Sequence, residues 1–290
     1  MRASRGEGRS VLGRHRAGLT AIACVLLGVL ATGCGGTTKP PIERARDAWR
    51  DQDYVEAAQA YEEYLATEPV GDDAANARFT IADLYYHNLK QYERARDHYA
   101  AYLAAYPTGT RAYEARKRLA EVNVELKNLP EAIAQYELLL VEHPNPPAWR
   151  TIRSTIADLY YRLEDFNQAD IEYTRVVENA SYDELTEQAL LRLASIAYKV
   201  RSRGEVALPM YERVATSSED PAVRRAALKS LSEVYADMFR FDEAVATLRR
   251  IDDPSEAEYV AKRTAELEKQ RSLHTDAPEV DWSKGKGEGG

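Results

Sequence analysis

Apolar residues return at regular intervals along the chain and predict a stack of helical hairpins. Six alanines recur with gaps of 38, 37, 37, 38 and 37 residues: Ala57, Ala95, Ala132, Ala169, Ala207 and Ala244. A large apolar residue, most often tyrosine, follows each alanine by four positions. Residues four apart lie on one face of a helix, so each alanine and its follower form one apolar stripe. A period this regular is typical of a single supersecondary unit that is stacked repeatedly.

Each repeat contains a second, earlier apolar stripe, which predicts two helices per unit. Residues 75–107 show both stripes at helical spacing: Ile81, Ala82 and Tyr85 in the first half, then Tyr92, Ala95, Tyr99 and Tyr102 in the second. Pro107 ends the second stripe, because proline lacks an N–H and restricts the residue before it. The phrase TIADLYY occurs at 80–86 and again at 155–161, two units apart. The unit is therefore a helix–turn–helix hairpin.

This order of residues resembles the tetratricopeptide repeat over residues 42–251. The resemblance implies an all-α, right-handed solenoid of about six hairpins within residues 42–271, closed by a C-terminal capping helix over 253–271. Asp253, Pro254 and Glu256 predict an N-cap, a first helical residue and a capping box for that last helix. The units exceed the usual 34 residues by three or four, which we assign to the turns between hairpins. Asn123 replaces an expected aromatic residue, and Gly204 begins a degenerate fifth unit.

The first 41 residues have the features of a targeting segment. Residues 1–16 carry five arginines, and the apolar run 17–31 suits a signal-peptide core but is short for a membrane span. Small residues just before Cys34 resemble a bacterial lipobox, which implies a signal peptide at 1–33 and a lipidated Cys34 beginning a short tether, 34–41. Gly35 stands where aspartate signals inner-membrane retention, so the resemblance implies the periplasmic face of the outer membrane. The alternative is an ordinary secretory signal that is cleaved nearby, with Cys34 incidental.

The charge, the cysteine content and the missing motifs argue against several classes of function. The net charge is −8 and the charged residues are interleaved without a basic stripe, so we expect no nucleic-acid partner and membrane contact only through the lipid anchor. The only cysteines are Cys24 and Cys34, and no catalytic or phosphate-binding motif occurs. We therefore predict a non-enzymatic protein with no metal and no cofactor. Residues 272–290 are polar and glycine-rich, which predicts a disordered tail with an isolated Trp282.

Candidate binding residues follow from the resemblance, because the first helix of each tetratricopeptide unit lines a concave groove. Tyr86 and Tyr161 lie about 100° around the helix from the core positions Tyr85 and Tyr160, which predicts that they face outward as anchors for a partner. The candidate groove residues are Arg46, Trp49, Arg50, Phe79, Asp83, Tyr86, Asp158, Tyr161 and Arg162. Further positions on the same helices are His87, Lys117, Glu121, Glu125, Ser154, Arg192, Lys199, Lys229 and Glu233.

Lipid anchor, short tether and proline-ended repeats together resemble the BamD-like lipoproteins of the outer-membrane β-barrel assembly machine. The resemblance implies a scaffold that binds protein partners in an envelope complex, either the β-barrel assembly machinery or a secretin. One alternative is a pilotin-like lipoprotein, and another is an accessory of a motility, Tol-Pal or peptidoglycan-synthesis machine. A periplasmic enzyme or a peptidoglycan-binding protein is the alternative from a different class.

Overall fold

The computed structural model describes residues 39–143 and 148–275, and all regular structure in these ranges is helical. The helices are α1 (Pro41–Arg50), α2 (Tyr54–Leu65), α3 (Asp72–Asp83), α4 (Tyr92–Ala105), α5 (Ala112–Glu125), α6 (Leu129–Glu142), α7 (Trp149–Arg162), α8 (Phe166–Val177), α9 (Glu184–Ser195), α10 (Gly204–Ser217), α11 (Pro221–Asp237), α12 (Phe241–Leu248) and α13 (Ala257–Thr275). Consecutive helices pack in pairs from α1 with α2 to α11 with α12, and α13 packs on α12. The predicted all-α stack of six hairpins with a final helix is confirmed.

The repeat alanines lie where the two helices of each hairpin meet. All six alanines have no exposed surface, and the tyrosine four residues later is also buried in five units. A methyl side chain lets two helix axes approach closely, and the neighbouring ring fills the space beside the contact. The spacing of small and aromatic residues therefore predicts the core correctly.

Three residues join the two helices of each hairpin, and the middle one adopts a left-handed backbone conformation. These middle residues are Gln52, Lys90, Lys127, Glu164, Ser202 and Phe239, with φ between 52° and 63°. The third residue directly precedes the next helix, and in two hairpins it is an aspartate whose side chain caps that helix. Asp53 accepts a hydrogen bond from the Glu56 N–H, and Asp165 accepts one from the Gln168 N–H, both at 3.1 Å.

Two of the first helices end in a π-helical turn, Leu84–Asn88 after α3 and Ile196–Val200 after α9. In the second hairpin the N–H of Gln91 donates to the carbonyl oxygen of Tyr85, six residues earlier, at 2.9 Å. The equivalent bond in hairpins without a π turn reaches back five residues. The two 38-residue gaps between repeat alanines span these two π turns, and the 37-residue gaps span none. One added residue is thus accommodated inside the helix.

The longer repeat also reflects the turns between hairpins, as predicted. Six residues, 66–71, separate the first hairpin from the second, and six more, 106–111, separate the second from the third. Gly71 has a φ of 88° and precedes α3 directly, so this turn uses a conformation that suits glycine.

The two departures from the repeat pattern have packing reasons. A Cβ atom on Gly204 would lie 2.8 Å from Sδ of Met238 and 3.1 Å from Cγ1 of Val234. The start of α10 therefore lies too close to α11 for the usual aromatic side chain. Asn123 is buried; its Nδ2 donates to the carbonyl oxygen of Leu119 at 2.9 Å, and its Oδ1 accepts from Nδ2 of Asn128 in the following turn at 3.4 Å.

The C-terminal helix is longer than predicted. Asp253 accepts a hydrogen bond from the Ser255 N–H at 2.9 Å, and Leu267 is fully buried against the last hairpin. The predicted capping box is wrong, because Glu256 pairs instead with Nζ of Lys229 at 2.8 Å. Helix α13 continues to Thr275, so the first four residues of the predicted disordered tail are helical.

The predicted signal peptide, Cys34 and most of the tether lie outside the described residues, as do the remainder of the tail and Trp282. Among the helices of residues 39–143 and 148–275, none combines the length and apolar character needed to cross a membrane.

Candidate partner-binding surface

The repeated phrase TIADLYY forms the same hydrogen bond in hairpins two and four. Asp83 accepts a hydrogen bond from the hydroxyl of Tyr99, and Asp158 accepts one from Tyr173 at 2.5 Å. Tyr99 and Tyr173 are the buried tyrosines that follow the repeat alanine by four positions. Both aspartates, predicted as partner contacts, thus hold the second helix of their own hairpin.

The same phrase also contacts the preceding hairpin. The hydroxyl of Tyr85 donates to Oε1 of Glu62 at 2.8 Å, and that of Tyr160 donates to Oε1 of Glu137 at 3.0 Å. Glu62 lies on α2 and Glu137 on α6, each the second helix of the previous unit. Each TIADLYY phrase therefore links three helices across a repeat boundary, which accounts for its recurrence in structural terms.

The two predicted aromatic anchors, Tyr86 and Tyr161, are half-buried rather than fully outward-facing. The ring of Tyr86 lies 6.0 Å from that of Tyr92, and the ring of Tyr161 lies 5.3 Å from that of Phe166. Tyr92 and Phe166 are the first residues of the second helices, so both anchors pack at the turn of their own hairpin. Each ring still exposes part of its surface.

The prediction that Phe79 lines the groove is wrong. Phe79 is 1% exposed, and its ring makes edge contacts with Tyr99 and Tyr102 at 5.6 and 5.7 Å between centroids. The guanidinium carbon of Arg111 lies 3.5 Å from the centre of the Phe79 ring and covers it. Phe79 therefore faces α4 inside the hairpin and belongs to the core.

The three candidates on α1 are exposed. Trp49 is 52% exposed, which leaves its indole accessible at the first hairpin. Nη2 of Arg46 lies 2.7 Å from Oδ1 of Asp73 on α3, so this pair bridges hairpins one and two. Arg50 lies 3.1 Å from the carboxylate of Asp47, one turn earlier on the same helix. Of the three residues, Trp49 offers the largest apolar contact.

Asp158 and Arg192 line a groove between α7 and α9, which we call the Arg192 groove, and the ring of Tyr161 lies beside Arg192. Its volume is about 370 Å³, and it is lined by Ser154, Asp158, Tyr173, Gln188, Leu191, Arg192 and Ser195. The guanidinium carbon of Arg192 lies 5.0 Å from the centre of the Tyr161 ring, and Nε lies 3.8 Å from Oδ1 of Asp158. The Arg192 side chain is 51% exposed, so part of its charge faces solvent.

The sequence reasoning missed part of this groove. Gln188 and Ser195 lie four residues before and three residues after Arg192, which places all three on one face of α9. This spacing of polar residues in the sequence could have indicated that Gln188 and Ser195 lie beside Arg192 on one surface. Arg162 is exposed near the end of α7 but does not line the groove.

The first helices present charges of both signs. Burial raises the pKa of Tyr86, and the negative charges of Glu121 and Glu125 on α5 raise it further. Hairpins four and five present exposed Arg162, Arg192 and Lys199 together with exposed Asp158. Within the described residues, no group of three histidine, cysteine or acidic side chains is placed to hold a metal ion.

These features define a class of protein: a stack of helical hairpins whose first helices offer polar grooves and half-exposed rings. Two family profiles, each described as a tetratricopeptide repeat, match residues 42–110 and residues 89–156. A search of curated protein sequences gave no significant match.

One solved structure supports the same fold at a TM-score of 0.50, and two others are similar at lower scores. A structure of Naa15/Naa10 bound to HypK-THB aligns with a TM-score of 0.50 at 17% identity, over 80% of this chain and 34% of that chain. A tetratricopeptide repeat protein from Parabacteroides merdae aligns with a TM-score of 0.48 at 17% identity, over 83% of this chain and 94% of that chain. A tetratricopeptide repeat protein from Bacteroides fragilis aligns with a TM-score of 0.43 at 17% identity, over 79% of this chain and 97% of that chain. Residues 42–156 therefore match tetratricopeptide repeats, which in general bind protein partners.

Proposed function

We propose that this protein is a non-catalytic, lipid-anchored scaffold on the periplasmic face of the outer membrane. It binds protein partners of an envelope complex, in the manner of the BamD-like component of the β-barrel assembly machine. The observation that carries the binding role is the Arg192 groove. The lipobox-like residues before Cys34 support the anchor.

The Arg192 groove suits an extended segment of a partner protein. Arg192 supplies charged donors that pair with a carboxylate or with backbone carbonyl oxygens. The half-exposed ring of Tyr161 lies beside the guanidinium and offers a flat apolar contact. Gln188 is exposed at the rim, and Ser154 and Ser195 add hydroxyl groups. A few such groups in a groove orient a bound segment and supply most of the binding free energy, whereas most of the surrounding surface contributes little to it.

The proposed anchor limits where this surface lies. Residues 35–40 separate Cys34 from α1, and at about 3.3 Å per residue they reach ~20 Å. The first hairpin, with its exposed Trp49, would then lie next to the membrane. Several acyl chains on one cysteine attach a protein stably to a membrane, whereas a single acyl chain gives only weak, reversible membrane binding.

Cross-linking in living cells tests the partner. A photoreactive amino acid at Gln188 faces the Arg192 groove, and the same amino acid at exposed Gln168 on α8 is the matched control. We expect products at position 188 that are absent at position 168. A β-barrel insertase among them supports the BamD-like role, whereas a secretin or a motility complex alone moves the function to that machine. Equal products at both positions would show that the groove does not bind the partner.

Fractionation tests the anchor independently. Cys34→Ser removes the sulfur that would carry lipid, so we expect the protein to move from the membrane fraction to the soluble periplasm. Metabolic labelling with a radioactive fatty acid should mark the wild type and not the variant. A variant that stays membrane-bound would contradict the lipid anchor without affecting the groove.

A further inference from the structure

The last hairpin carries an exposed apolar groove that the proposed function does not use. Phe239 is 64% exposed, its ring stacks on that of His274 at 4.7 Å between centroids, and it lies 6.2 Å from the ring of Phe241. Leu273, 65% exposed, lies on the same rim. Together with Arg263 and Gln270, these residues line a cavity of about 510 Å³, which we call the Phe239 groove.

Phe239 occupies a position that favours a polar residue. It is the left-handed middle residue of its turn, with a φ of 59°. The corresponding residues of the other five turns are polar: Gln52, Lys90, Lys127, Glu164 and Ser202. A bulky side chain is unusual in this conformation, and exposing its ring to water adds a further cost. The contacts with His274 and Phe241 cover part of the ring, but they leave 64% of the residue exposed, and a further contact would cover this remaining surface.

We propose that the Phe239 groove is covered by the chain's own C-terminal segment, residues 276–290, through Trp282. Leu273 and His274 line the groove, so the segment begins at the groove's own edge. Trp282 is seven residues beyond Thr275, and at about 3.3 Å per residue it reaches up to ~23 Å, enough to cross a groove of this size. Val280 and Trp282 are the large apolar residues of this segment.

Arg263 offers a contact to the acidic flank of the same segment. Asp276, Glu279 and Asp281 precede Trp282, so its immediate flank is acidic. The groove presents the guanidinium of Arg263, which also pairs with Glu266 at 3.0 Å on the same helix. Its one lining acid, Asp237, accepts a hydrogen bond from the hydroxyl of Tyr198. An acidic, tryptophan-bearing segment thus matches a groove with an arginine at its rim and stacked aromatic rings on its wall. Docking would shield the apolar end of the repeat stack, where a polar surface is normally required.

Tryptophan fluorescence tests this directly. A chain beginning at Gly35 retains every described residue together with the segment 276–290, and Trp49→Phe with Trp149→Phe leaves Trp282 as its single tryptophan. We expect a blue-shifted emission and a several-fold lower acrylamide quenching constant than for free N-acetyl-tryptophanamide. Adding Phe239→Gln, the residue found at this place in the first turn, should shift the emission to that of free indole. Val141→Gln, which changes a 75% exposed residue on α6, should leave it unchanged.

Other results would overturn the proposal. Free-indole emission in the single-tryptophan chain would show that Trp282 does not dock. Shielded emission that survives Phe239→Gln, with helix content unchanged by circular dichroism, would show that Trp282 docks elsewhere. Shielding that appears only as the protein concentration rises would identify a second copy of the chain as the occupant.

Discussion

The repeated Tyr–Asp hydrogen bond allows one substitution to be compared in two settings. Tyr99→Phe and Tyr173→Phe each delete one hydroxyl from a buried ring and leave the ring in place. The acceptors differ in exposure: Asp83 is half-buried, whereas the side chain of Asp158 is 51% exposed. Water can replace the lost donor at Asp158 more easily than at Asp83.

The magnitudes follow from this difference. A hydrogen bond to a charged group contributes about 1.5–3 kcal/mol when the acceptor is shielded, so we expect Tyr99→Phe to cost ~2 kcal/mol. At Asp158 a water molecule restores most of the bond, and Arg192 lies 3.8 Å away, so we expect Tyr173→Phe to cost less than ~1 kcal/mol. For a domain of this size, ~2 kcal/mol corresponds to a fall in Tm of about 4–8 °C.

Urea unfolding followed by circular dichroism measures both costs, and the double variant with Asp83→Asn measures the coupling between Tyr99 and Asp83. Burial raises the pKa of Asp83, while the Tyr99 hydroxyl lowers it. Ionisation of Asp83 therefore disfavours the folded state, and removing the hydroxyl increases that effect. The deficit of Tyr99→Phe should be largest near neutral pH and should shrink as the pH falls and Asp83 becomes protonated. An equal or larger cost for Tyr173→Phe, or a deficit that grows in acid, would refute this reasoning.

Two further substitutions test the packing and the ion pairs. Gly204→Tyr restores the aromatic residue of the repeat pattern, yet we expect the free energy of unfolding to fall by about 1–3 kcal/mol, because a Cβ at this position already meets Met238. Adding Met238→Ala should recover part of this stability. A Gly204→Tyr variant that is more stable than the wild type would contradict the close approach. Arg150 holds the pKa of Asp183 well below its usual range through two hydrogen bonds to the carboxylate. The stability from this pair is present above the unfolded-state pKa of about 4 and is lost as the pH falls through the lower folded-state pKa. The difference in Tm between the wild type and Arg150→Gln should therefore narrow in acid. A difference that does not depend on pH would contradict the role of this pair.

Much of the fold could be predicted because it depends on local periodicity. The alanine register alone located the six helix crossings, and the tyrosines that follow are buried as that register implies. The start of the last helix followed from Asp253 and Pro254, whose effects depend on neighbouring residues. Its end did not follow, because polar helical residues and polar disordered residues have similar compositions.

The candidate site was predicted less well, because helical phase indicates which side of a helix a residue occupies and not what lies opposite. Phe79 has the spacing of a groove residue, but α4 lies against it and Arg111 covers its ring. Tyr86 and Tyr161 leave the core phase as predicted and then pack on the first residue of the next helix. The Arg192 groove required two consecutive hairpins to be placed side by side.

The spacing of the repeat alanines separates what the sequence determines from what requires the tertiary structure. By itself the sequence determined the number of hairpins, the residues at each helix crossing and the two places where the spacing lengthens from 37 to 38, because these depend on a period that any helix must follow. Only the tertiary structure decided what the added residue does: it is taken up in a π turn of α3 and of α9 rather than in a loop. The physical reason is that the next helix must still place its alanine at the crossing, so the extra residue is accommodated where the helix can widen without moving the packed face.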